Sequence, residues 1–265
     1  MGGSALEGAV IDLDGTVYLG DRPVDGAREG IERLREAGLE LVFLTNNPIE
    51  ERSVYRDRLR ALGIDAATEE IVTAAWIAAD YLATTHPEDA ALVLGEPALV
   101  EELRDAGVDV TSDPDRATVV LASMDRSLEY ADIRAALEAF DGDPVPRFYA
   151  TNPDRTCPTA TGEVPDAAAT IGAIEGTTGR ELDGVLGKPS RFAAEAACRR
   201  LDTTPERCLV VGDRLETDVE MGRTAGMTTA LVLSGVTDRD AVSASAIEPD
   251  YVLDSLVEIG SVLQP

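Results

Sequence analysis

The feature that most constrains the fold is the stretch from Ala9 to Thr16, which reads A-V-I-D-L-D-G-T. Its consecutive apolar residues predict a buried parallel strand, and the strand stops abruptly at Asp12. In open α/β sheets, ligands bind beyond the carboxyl ends of the strands. Asp12 and Asp14 share one face of an extended segment, where two like charges repel unless a cation bridges them or their roles differ. The pattern therefore favours a metal-assisted carboxylate site, with a solvated Asp-rich turn as the alternative.

A calcium-binding loop also begins with Asp-x-Asp and contains a glycine. Counting from Asp12, however, Val17 occupies the position that requires glycine, and the twelfth position holds no bidentate glutamate. The spacing therefore excludes a calcium loop. Gly15 instead allows a tight turn with close backbone approach.

Two further predicted strands also end in polar residues. The strand 39–44 stops at Thr45 and Asn46, whose hydroxyl and amide groups can donate to an anion above the sheet. The strand 208–211 leads into Asp213, and Asp218 follows five residues later. Taken singly, Asn46 fits an ordinary turn closed by a proline, and Asp213 fits a helix N-cap.

The charge balance of the chain excludes several classes of partner. Fifty acidic residues against 23 basic ones give a net charge of −27, which argues against binding to nucleic acid or to anionic membranes. The charges are spread along the chain and 44% of the residues are hydrophobic, so disorder is not expected. This composition predicts a surface adapted to high salt. No export signal and no apolar run of about 18 residues is present, which predicts a cytoplasmic protein.

Lys188 is the single lysine in the chain, and the other basic residues are all arginine. Lysine is a compact point charge and arginine a planar fork, so the two do not substitute for each other at a tight anion site. The lysine therefore indicates such a site, with a lysine-poor coding bias as the alternative.

The remaining reactive residues indicate packing rather than chemistry. Cys157, Cys198 and Cys208 form no C-x-x-C pair, and their odd number suggests reduced thiols that pack in a cytoplasmic protein. The only histidine, His86, precedes a proline in a polar turn and is predicted to lie on the surface. A histidine-based catalytic triad is therefore excluded.

Strands and helices alternate along the chain, which predicts an α/β fold. Helices are predicted at 26–38, 50–62, 71–85, 97–106, 129–140, 165–178, 190–201, 218–225 and 255–263, and further strands at 90–95, 118–122, 148–151, 229–233 and 251–253. Breaks around 86–89 and 179–187 mark the middle series as an insertion. We expect a Rossmann-like parallel-sheet core at 1–87 and 184–265, with its first strand central, and an inserted α/β cap at 88–183.

Four motifs in order resemble the haloacid dehalogenase (HAD) superfamily of phosphatases, and the resemblance covers the whole chain. The motifs are Asp12-Leu13-Asp14-Gly15-Thr16, Thr45-Asn46-Asn47, Gly187-Lys188-Pro189 and Gly212-Asp213-Arg214-Leu215-Glu216-Thr217-Asp218. The insertion is similar to the type-two cap of that superfamily. The segment Thr151-Asn152-Pro153-Asp154 resembles the NagD-like, p-nitrophenylphosphatase branch.

The resemblance implies a role for each matched residue. Asp12 would be the nucleophile and Asp14 the general acid and then base, while Mg²⁺ would be held by Asp12, the backbone carbonyl of Asp14 and Asp213. The implied phosphate-binding residues are Gly15 through its backbone N–H, Thr45, Asn46 and Lys188. Asp218 and Thr16 would contact these groups and hold them in position, without binding the phosphate themselves.

The implied function is Mg²⁺-dependent hydrolysis of a small phosphate monoester, such as a sugar phosphate, a nucleoside monophosphate or phosphoglycolate. A phosphomutase is an alternative within enzymes. A phospho-accepting receiver protein is another, although the large insertion and the Asp-x-Asp-Gly-Thr order count against it. The expected partner is a small phosphorylated metabolite, and a homo-oligomer is compatible with the sequence.

Overall fold

The computed structural model describes residues 6–20, 22–159 and 162–263. Contacts divide these residues into two compact units. The core unit takes its residues from Met1–Thr45, Arg52–Val72 and Lys188–Pro265, and the inserted unit from Asn46–Glu51 and Thr73–Gly187. The domain boundaries expected at 87/88 and 183/184 stay predictions.

The strands and helices alternate along most of the described chain. The strands are β1 (Gly8–Asp12), β2 (Tyr18–Leu19), β3 (Arg22–Pro23), β4 (Glu40–Thr45), β5 (Ile71–Thr73), β6 (Ala90–Leu94), β7 (Asp109–Thr111), β8 (Val119–Ala122), β9 (Arg147–Ala150), β10 (Thr156–Thr159), β11 (Gly162–Pro165), β12 (Gly184–Val185), β13 (Cys208–Gly212), β14 (Thr228–Val232) and β15 (Tyr251–Leu253). The helices are α1 (Ala27–Glu36), α2 (Arg52–Ala61), α3 (Ala74–Thr85), α4 (Pro97–Asp105), α5 (Tyr130–Phe140), α6 (Ala167–Thr178), α7 (Arg191–Arg200), α8 (Glu220–Ala225) and α9 (Arg239–Ala244).

The core unit is built on a sheet of order β15-β14-β13-β1-β4-β5. Strand β1 lies between β13 and β4, pairs in parallel with both, and is buried along its whole length. A strand covered on both faces needs a continuous apolar run, which is what precedes Asp12. The prediction of a parallel sheet with an interior first strand is confirmed, and the carboxyl ends of β1, β4 and β13 lie at one edge.

Helix α1 shows how the core unit closes over this sheet. Ile31 and Leu34 repeat at helical spacing on its buried face, so they pack with the apolar residues of β1 and β4. Gly30 has no room for a side chain, because a Cβ there would lie 2.3 Å from the Leu256 carbonyl oxygen. The short 3₁₀ helix Leu256–Ser261 therefore approaches α1 at backbone distance.

The inserted unit contains its own sheet, of order β12-β9-β8-β6-β7, in which the pairs described are parallel. Val120, Phe148 and Ile174 are fully covered in its apolar core. The predicted α/β character of the insertion is therefore confirmed. The antiparallel pair β10 and β11 was not predicted.

Two predicted helices differ from the structure. The helix predicted at 71–85 begins at Ala74, because Ile71, Val72 and Thr73 are β-branched and form strand β5. Thr73 then caps the helix, since its side chain accepts a hydrogen bond from the Trp76 N–H at 3.1 Å. The helix predicted at 255–263 is the shorter 3₁₀ helix Leu256–Ser261.

The reactive side chains partly follow the predictions. Cys198 and Cys208 are free thiols and are buried, as expected of packing residues, whereas Cys157 is only half-buried. The prediction of a surface position for His86 was wrong, because its side chain is only 14% exposed. Its ring lies 2.7 Å from Asp89 Oδ2 through Nδ1 and 3.2 Å from the Tyr149 hydroxyl through Nε2. None of the helices among the described residues is long and apolar enough to cross a bilayer.

Candidate active site

Asp12 ends strand β1 and lies in a buried ion-pair cluster of the core unit. The Lys188 ammonium donates to the Asp12 carboxylate and, at 2.7 Å, to Asp218 Oδ1. The Thr16 hydroxyl contacts the other Asp12 oxygen at 3.3 Å. Lys188 is 3% exposed, so the one lysine of the chain lies almost wholly out of water between two carboxylates.

The charges of this cluster depend on one another. Burial alone would lower the pKa of Lys188, but Asp12 and Asp218 together raise the pKa above its ordinary value. Burial raises the pKa of Asp12, and the neighbouring ammonium opposes that shift. Lys188 is therefore charged at neutral pH and acts as the counter-ion of both carboxylates.

Asp213 belongs to the same cluster of carboxylates, and its two oxygens differ in their hydrogen bonding. Its Oδ2 accepts a hydrogen bond from the Val236 N–H at 2.7 Å. Its Oδ1 is buried and, within the described part of the chain, has no hydrogen-bond partner. Burial, reinforced by the Asp218 carboxylate, raises the pKa of Asp213 to about 6. A buried carboxylate oxygen without a donor is suited to a cation.

The carboxylates meet closely enough to hold a metal ion. One oxygen each from Asp12, Asp213 and Asp218 lie within 4.8 Å of one another. An all-oxygen donor set is what Mg²⁺ prefers, and no softer ligand belongs to this group of residues. The free Oδ1 of Asp213 and the donor set thus fit the predicted metal. The predicted contribution of the Asp14 carbonyl stays a prediction.

Two glycines make room for the tied oxygen of Asp213. A Cβ on Gly15 would lie 2.3 Å from Asp213 Oδ2, and a Cβ on Gly235 would lie 2.0 Å from the same atom. The segment after β14 also holds the Gly15 turn, because the Ser234 hydroxyl donates to the Gly15 carbonyl at 2.8 Å. The segment 234–237 therefore fixes both the turn after β1 and the rotamer of Asp213.

One predicted phosphate contact does not fit the structure. The Gly15 N–H donates to the Tyr18 carbonyl oxygen at 2.8 Å and is therefore used within its own turn. The glycine is needed for a different reason: its φ is +91°, in the left-handed region, and Asp213 leaves no space for a side chain. Gly15 acts through backbone conformation and close approach.

Asp14 is half-buried beside this turn. Burial raises the pKa of its carboxyl group, although the charges of Arg58, Lys188 and Arg214 oppose the shift. A raised pKa favours the protonated form, which is the form that can give a proton to a leaving oxygen. The environments of Asp12 and Asp14 thus differ. Of these two carboxyl groups, only Asp12 pairs with Lys188 among the ion pairs described.

Thr45 and Asn46 are placed differently from each other. Thr45 ends β4 and is 2% exposed, at the same sheet edge as Asp12. Asn46 belongs by its contacts to the inserted unit, where its side-chain amide donates to Asp154 Oδ2 at 3.0 Å. The phosphate contacts expected of both residues stay predictions.

The sequence reasoning missed the segment 234–237. Its signal was available, because Ser234 to Thr237 follow the carboxyl end of a predicted strand, as Asp12, Thr45 and Asp213 do. The decisive donor in this segment is the backbone N–H of Val236. A backbone donor leaves no mark in the residue type.

Comparisons with known proteins agree with this geometry. A family model described as haloacid dehalogenase-like hydrolase matches residues 9–109, and a second HAD-hydrolase-like model matches residues 185–259. The sugar-phosphatase AraL of Bacillus subtilis is 39% identical over 252 residues, which cover 95% of this chain and 91% of that protein. Glycerol-3-phosphate phosphatase of Gallus gallus is 32% identical over 285 residues, covering 96% and 91%.

Solved structures give the same result. A p-nitrophenyl phosphatase from Archaeoglobus fulgidus superposes with a TM-score of 0.90 at 34% identity and covers 98% of this chain and 100% of its own. NagD from Escherichia coli K-12 superposes with a TM-score of 0.87 at 32% identity, covering 97% and 99%. The chain belongs to the haloacid dehalogenase-like hydrolases, as an enzyme of their NagD-like phosphatase branch.

Proposed function

We propose that this enzyme hydrolyses a small phosphate monoester in two steps, with Asp12 as the nucleophile and with bound Mg²⁺. One observation carries the proposal. The buried Lys188 ammonium bridges Asp12 and Asp218, and Asp213 belongs to the same acidic cluster, with an Oδ1 that has no hydrogen-bond partner among the described residues. This arrangement supports the proposal, because it would bring cation, nucleophile and metal ligand together at one sheet edge.

Asp12 and Asp213 would hold the ion together with the Asp14 carbonyl. When bound, Mg²⁺ supplies positive charge that offsets the charge of the phosphoryl oxygens. Asp218 lies close enough to add its negative charge at the ion. Because it accepts a hydrogen bond from Lys188, we assign it the role of positioning the lysine.

In the first step, a carboxylate oxygen of Asp12 forms a bond to phosphorus while the bond from phosphorus to the leaving oxygen breaks. Protonated Asp14 gives its proton to that leaving oxygen, so the alcohol departs neutral. Lys188 keeps its positive charge next to the reacting oxygens and reduces the repulsion between an anionic nucleophile and an anionic ester.

In the second step, Asp14 is a carboxylate and takes a proton from water as the water oxygen attacks phosphorus. The bond from phosphorus to Asp12 breaks, which releases inorganic phosphate and restores the Asp12 carboxylate. Asp14 ends protonated, ready for the next ester. Thr45 and Asn46 would donate hydrogen bonds to phosphoryl oxygens in both steps.

The substrate proposed is a small phosphorylated metabolite. Sugar phosphate and glycerol-3-phosphate are the substrates named for two relatives, and p-nitrophenyl phosphate for a structural neighbour. The net charge of −27 disfavours polyanionic partners such as nucleic acid.

The test is a screen for released inorganic phosphate over sugar phosphates, glycerol-3-phosphate, nucleoside monophosphates, phosphoglycolate and p-nitrophenyl phosphate. Catalytic release with Mg²⁺ and its loss in EDTA are the expected results. Transfer of the phosphoryl group to a second hydroxyl without free phosphate would identify a phosphomutase. Single-turnover phosphorylation of Asp12 without release would identify a receiver protein.

We also propose a cytoplasmic enzyme of a high-salt organism. Acidic residues outnumber basic ones by more than two to one, and at low ionic strength their repulsion extends over a Debye length of roughly 30 Å at 0.01 M. The melting temperature should therefore rise markedly from low salt to molar KCl. An unchanged melting temperature across this range would contradict the halophilic proposal and leave the phosphatase proposal intact.

A further inference from the structure

Two of the three cysteines in the chain touch each other in the core unit. The Sγ atoms of Cys198 and Cys208 lie 3.6 Å apart, which is van der Waals contact between two sulfur atoms, and both thiols are free. Cys198 lies near the end of helix α7, and Cys208 is the first residue of strand β13. The contact therefore joins a helix to the interior of the sheet through two reactive atoms.

The two thiols differ in their access to solvent. Cys198 lines an open groove of about 500 Å³ together with Arg199, Asp202 and Thr203. Cys208 is fully covered and does not line this groove. Cys198 is 4% exposed and borders this groove, so a small solute in the groove lies beside that residue, whereas Cys208 has no exposed surface.

The electrostatics reinforce this difference. The contact between the two thiols is the largest influence on the pKa of Cys198, and it lowers that pKa against the opposing effect of burial. Among the nearby charges, Glu206 and Glu195 raise this pKa and the Arg199 guanidinium lowers it. Since the thiolate is the form that reacts with peroxides, the lowered pKa favours reaction at Cys198.

We propose that Cys198 and Cys208 form a modification site at which hydrogen peroxide closes a reversible intramolecular disulfide. The Cys198 thiolate attacks one peroxide oxygen, the O–O bond breaks, and the released hydroxide takes a proton to become water. The resulting Cys198 sulfenic acid is then attacked at sulfur by Cys208. The S–O bond breaks, and the second water leaves with the Cys208 proton.

The overall change oxidises two thiols by two electrons and reduces one peroxide to two waters. It requires the sulfur atoms to move from 3.6 Å to the roughly 2.05 Å of a disulfide. Cys208 is already in contact, so it captures the sulfenic acid before a second peroxide can oxidise it further. The third cysteine, Cys157, belongs to the inserted unit, whereas Cys198 and Cys208 both belong to the core unit.

The experiment treats the full-length enzyme with hydrogen peroxide, removes the excess, and counts free thiols in denaturant. We expect three thiols before treatment and one afterwards, a loss of mass equal to two hydrogen atoms, and full reversal by dithiothreitol. Peptide mapping should find the 198–208 cross-link. The cross-link should also raise the melting temperature by about 5–10 °C, because it restricts the unfolded chain.

Cys157→Ser is the matched control and should still lose two thiols, whereas Cys198→Ala should lose none to disulfide formation. Retention of all three thiols would overturn the proposal, as would added oxygen on Cys198 without a cross-link. A disulfide that includes Cys157 would overturn it as well. Peptide mapping of the unaltered enzyme keeps the test decisive even where an alanine variant fails to fold.

Discussion

Each unit of this enzyme contains a parallel sheet whose strands end in polar residues, yet the two sets of polar residues are satisfied differently. In the inserted unit, the Thr151 hydroxyl lies 2.9 Å from the Ser123 hydroxyl and 2.8 Å from Asn152 Oδ1. Asn152 in turn donates to Asp154 and Asp166. These groups are hydrogen-bonded to one another, so the polar residues at these strand ends stabilise the structure of the inserted unit.

In the core unit, the strand ends carry Asp12 and Asp213, and the charges and hydrogen-bond acceptors of the carboxylates there are not fully compensated. One ammonium serves two carboxylates, and Asp213 Oδ1 has no donor among the described residues. Such an arrangement destabilises the fold unless a further cation is bound. The comparison teaches that chemistry lies where buried polar groups are left unsatisfied, and not at every sheet edge that is polar.

The most severe way to break the core site is Asp12→Asn, which keeps the shape of the side chain and removes the proposed nucleophile. We expect kcat below about 10⁻⁴ of the wild-type value with an unchanged circular dichroism spectrum. Phosphate release with saturating Mg²⁺ measures the effect. Substantial turnover by this variant would contradict the assignment of the nucleophile.

Lys188→Arg tests whether charge alone satisfies the two carboxylates. The wider guanidinium cannot occupy a site that fits a compact ammonium between Asp12 and Asp218, so we expect kcat to fall by about 10²–10³-fold. Lys188→Ala should fall at least as far. Near-native kcat/KM for the arginine variant would show that the single lysine reflects coding bias.

Gly235→Ala leaves every proposed metal ligand in place and alters only the space around Asp213. A Cβ at this position would lie 2.0 Å from Asp213 Oδ2, so the carboxylate must rotate and lose its hydrogen bond to Val236. We expect Mg²⁺ affinity, measured by titration calorimetry, to fall by about 10–100-fold. Gly260→Ala is the matched control, because no atom lies within 4 Å of its added Cβ.

Equal Mg²⁺ affinities for the two alanine variants would separate the segment 234–237 from the metal site. If the unaltered enzyme itself bound no Mg²⁺, the proposed cofactor would be contradicted, whatever the result at Gly235.

The smallest effect is expected in the inserted unit, with Ser123→Ala. This change removes one member of the buried hydrogen-bonded chain and should destabilise the protein by about 1 kcal/mol, with kcat unchanged. Ser127→Ala, at an exposed position, should change stability by less than about 0.5 kcal/mol. A large loss of kcat in Ser123→Ala without loss of stability would contradict the contrast between the two units.

Much of the fold was predictable because its signals are local. The apolar run before Asp12 could only be a strand buried on both faces, and its repetition before Thr45 and Asp213 predicted a shared sheet edge. The helix prediction at Ile71–Thr73 was wrong, because it set aside a local signal. The helical prediction includes these β-branched residues, although their side chains favour an extended backbone and they form strand β5.

The site was predictable as a set of residue types and less so as a set of contacts. The sequence placed Asp12, Asp213, Asp218 and Lys188 at strand and helix ends, and the structure brings them together. It could not reveal that the Gly15 N–H is used within its own turn. Such facts depend on distances between backbone atoms far apart in the chain, which residue types do not encode.

The contacts of the site also determine at which stage of synthesis and folding the site can be assembled. Asp12 and Lys188 are 176 residues apart, and the Ser234 contact to the Gly15 turn spans 219 residues. During synthesis Asp12 emerges before its counter-ion Lys188 and before Ser234, which holds the turn after β1. Such distant pairings form late, because closing long loops is entropically unfavourable. We therefore expect Asp12 to be inert in a chain made only as far as residue 187, and phosphatase activity to begin only when Lys188 and Ser234 have made their contacts near β1.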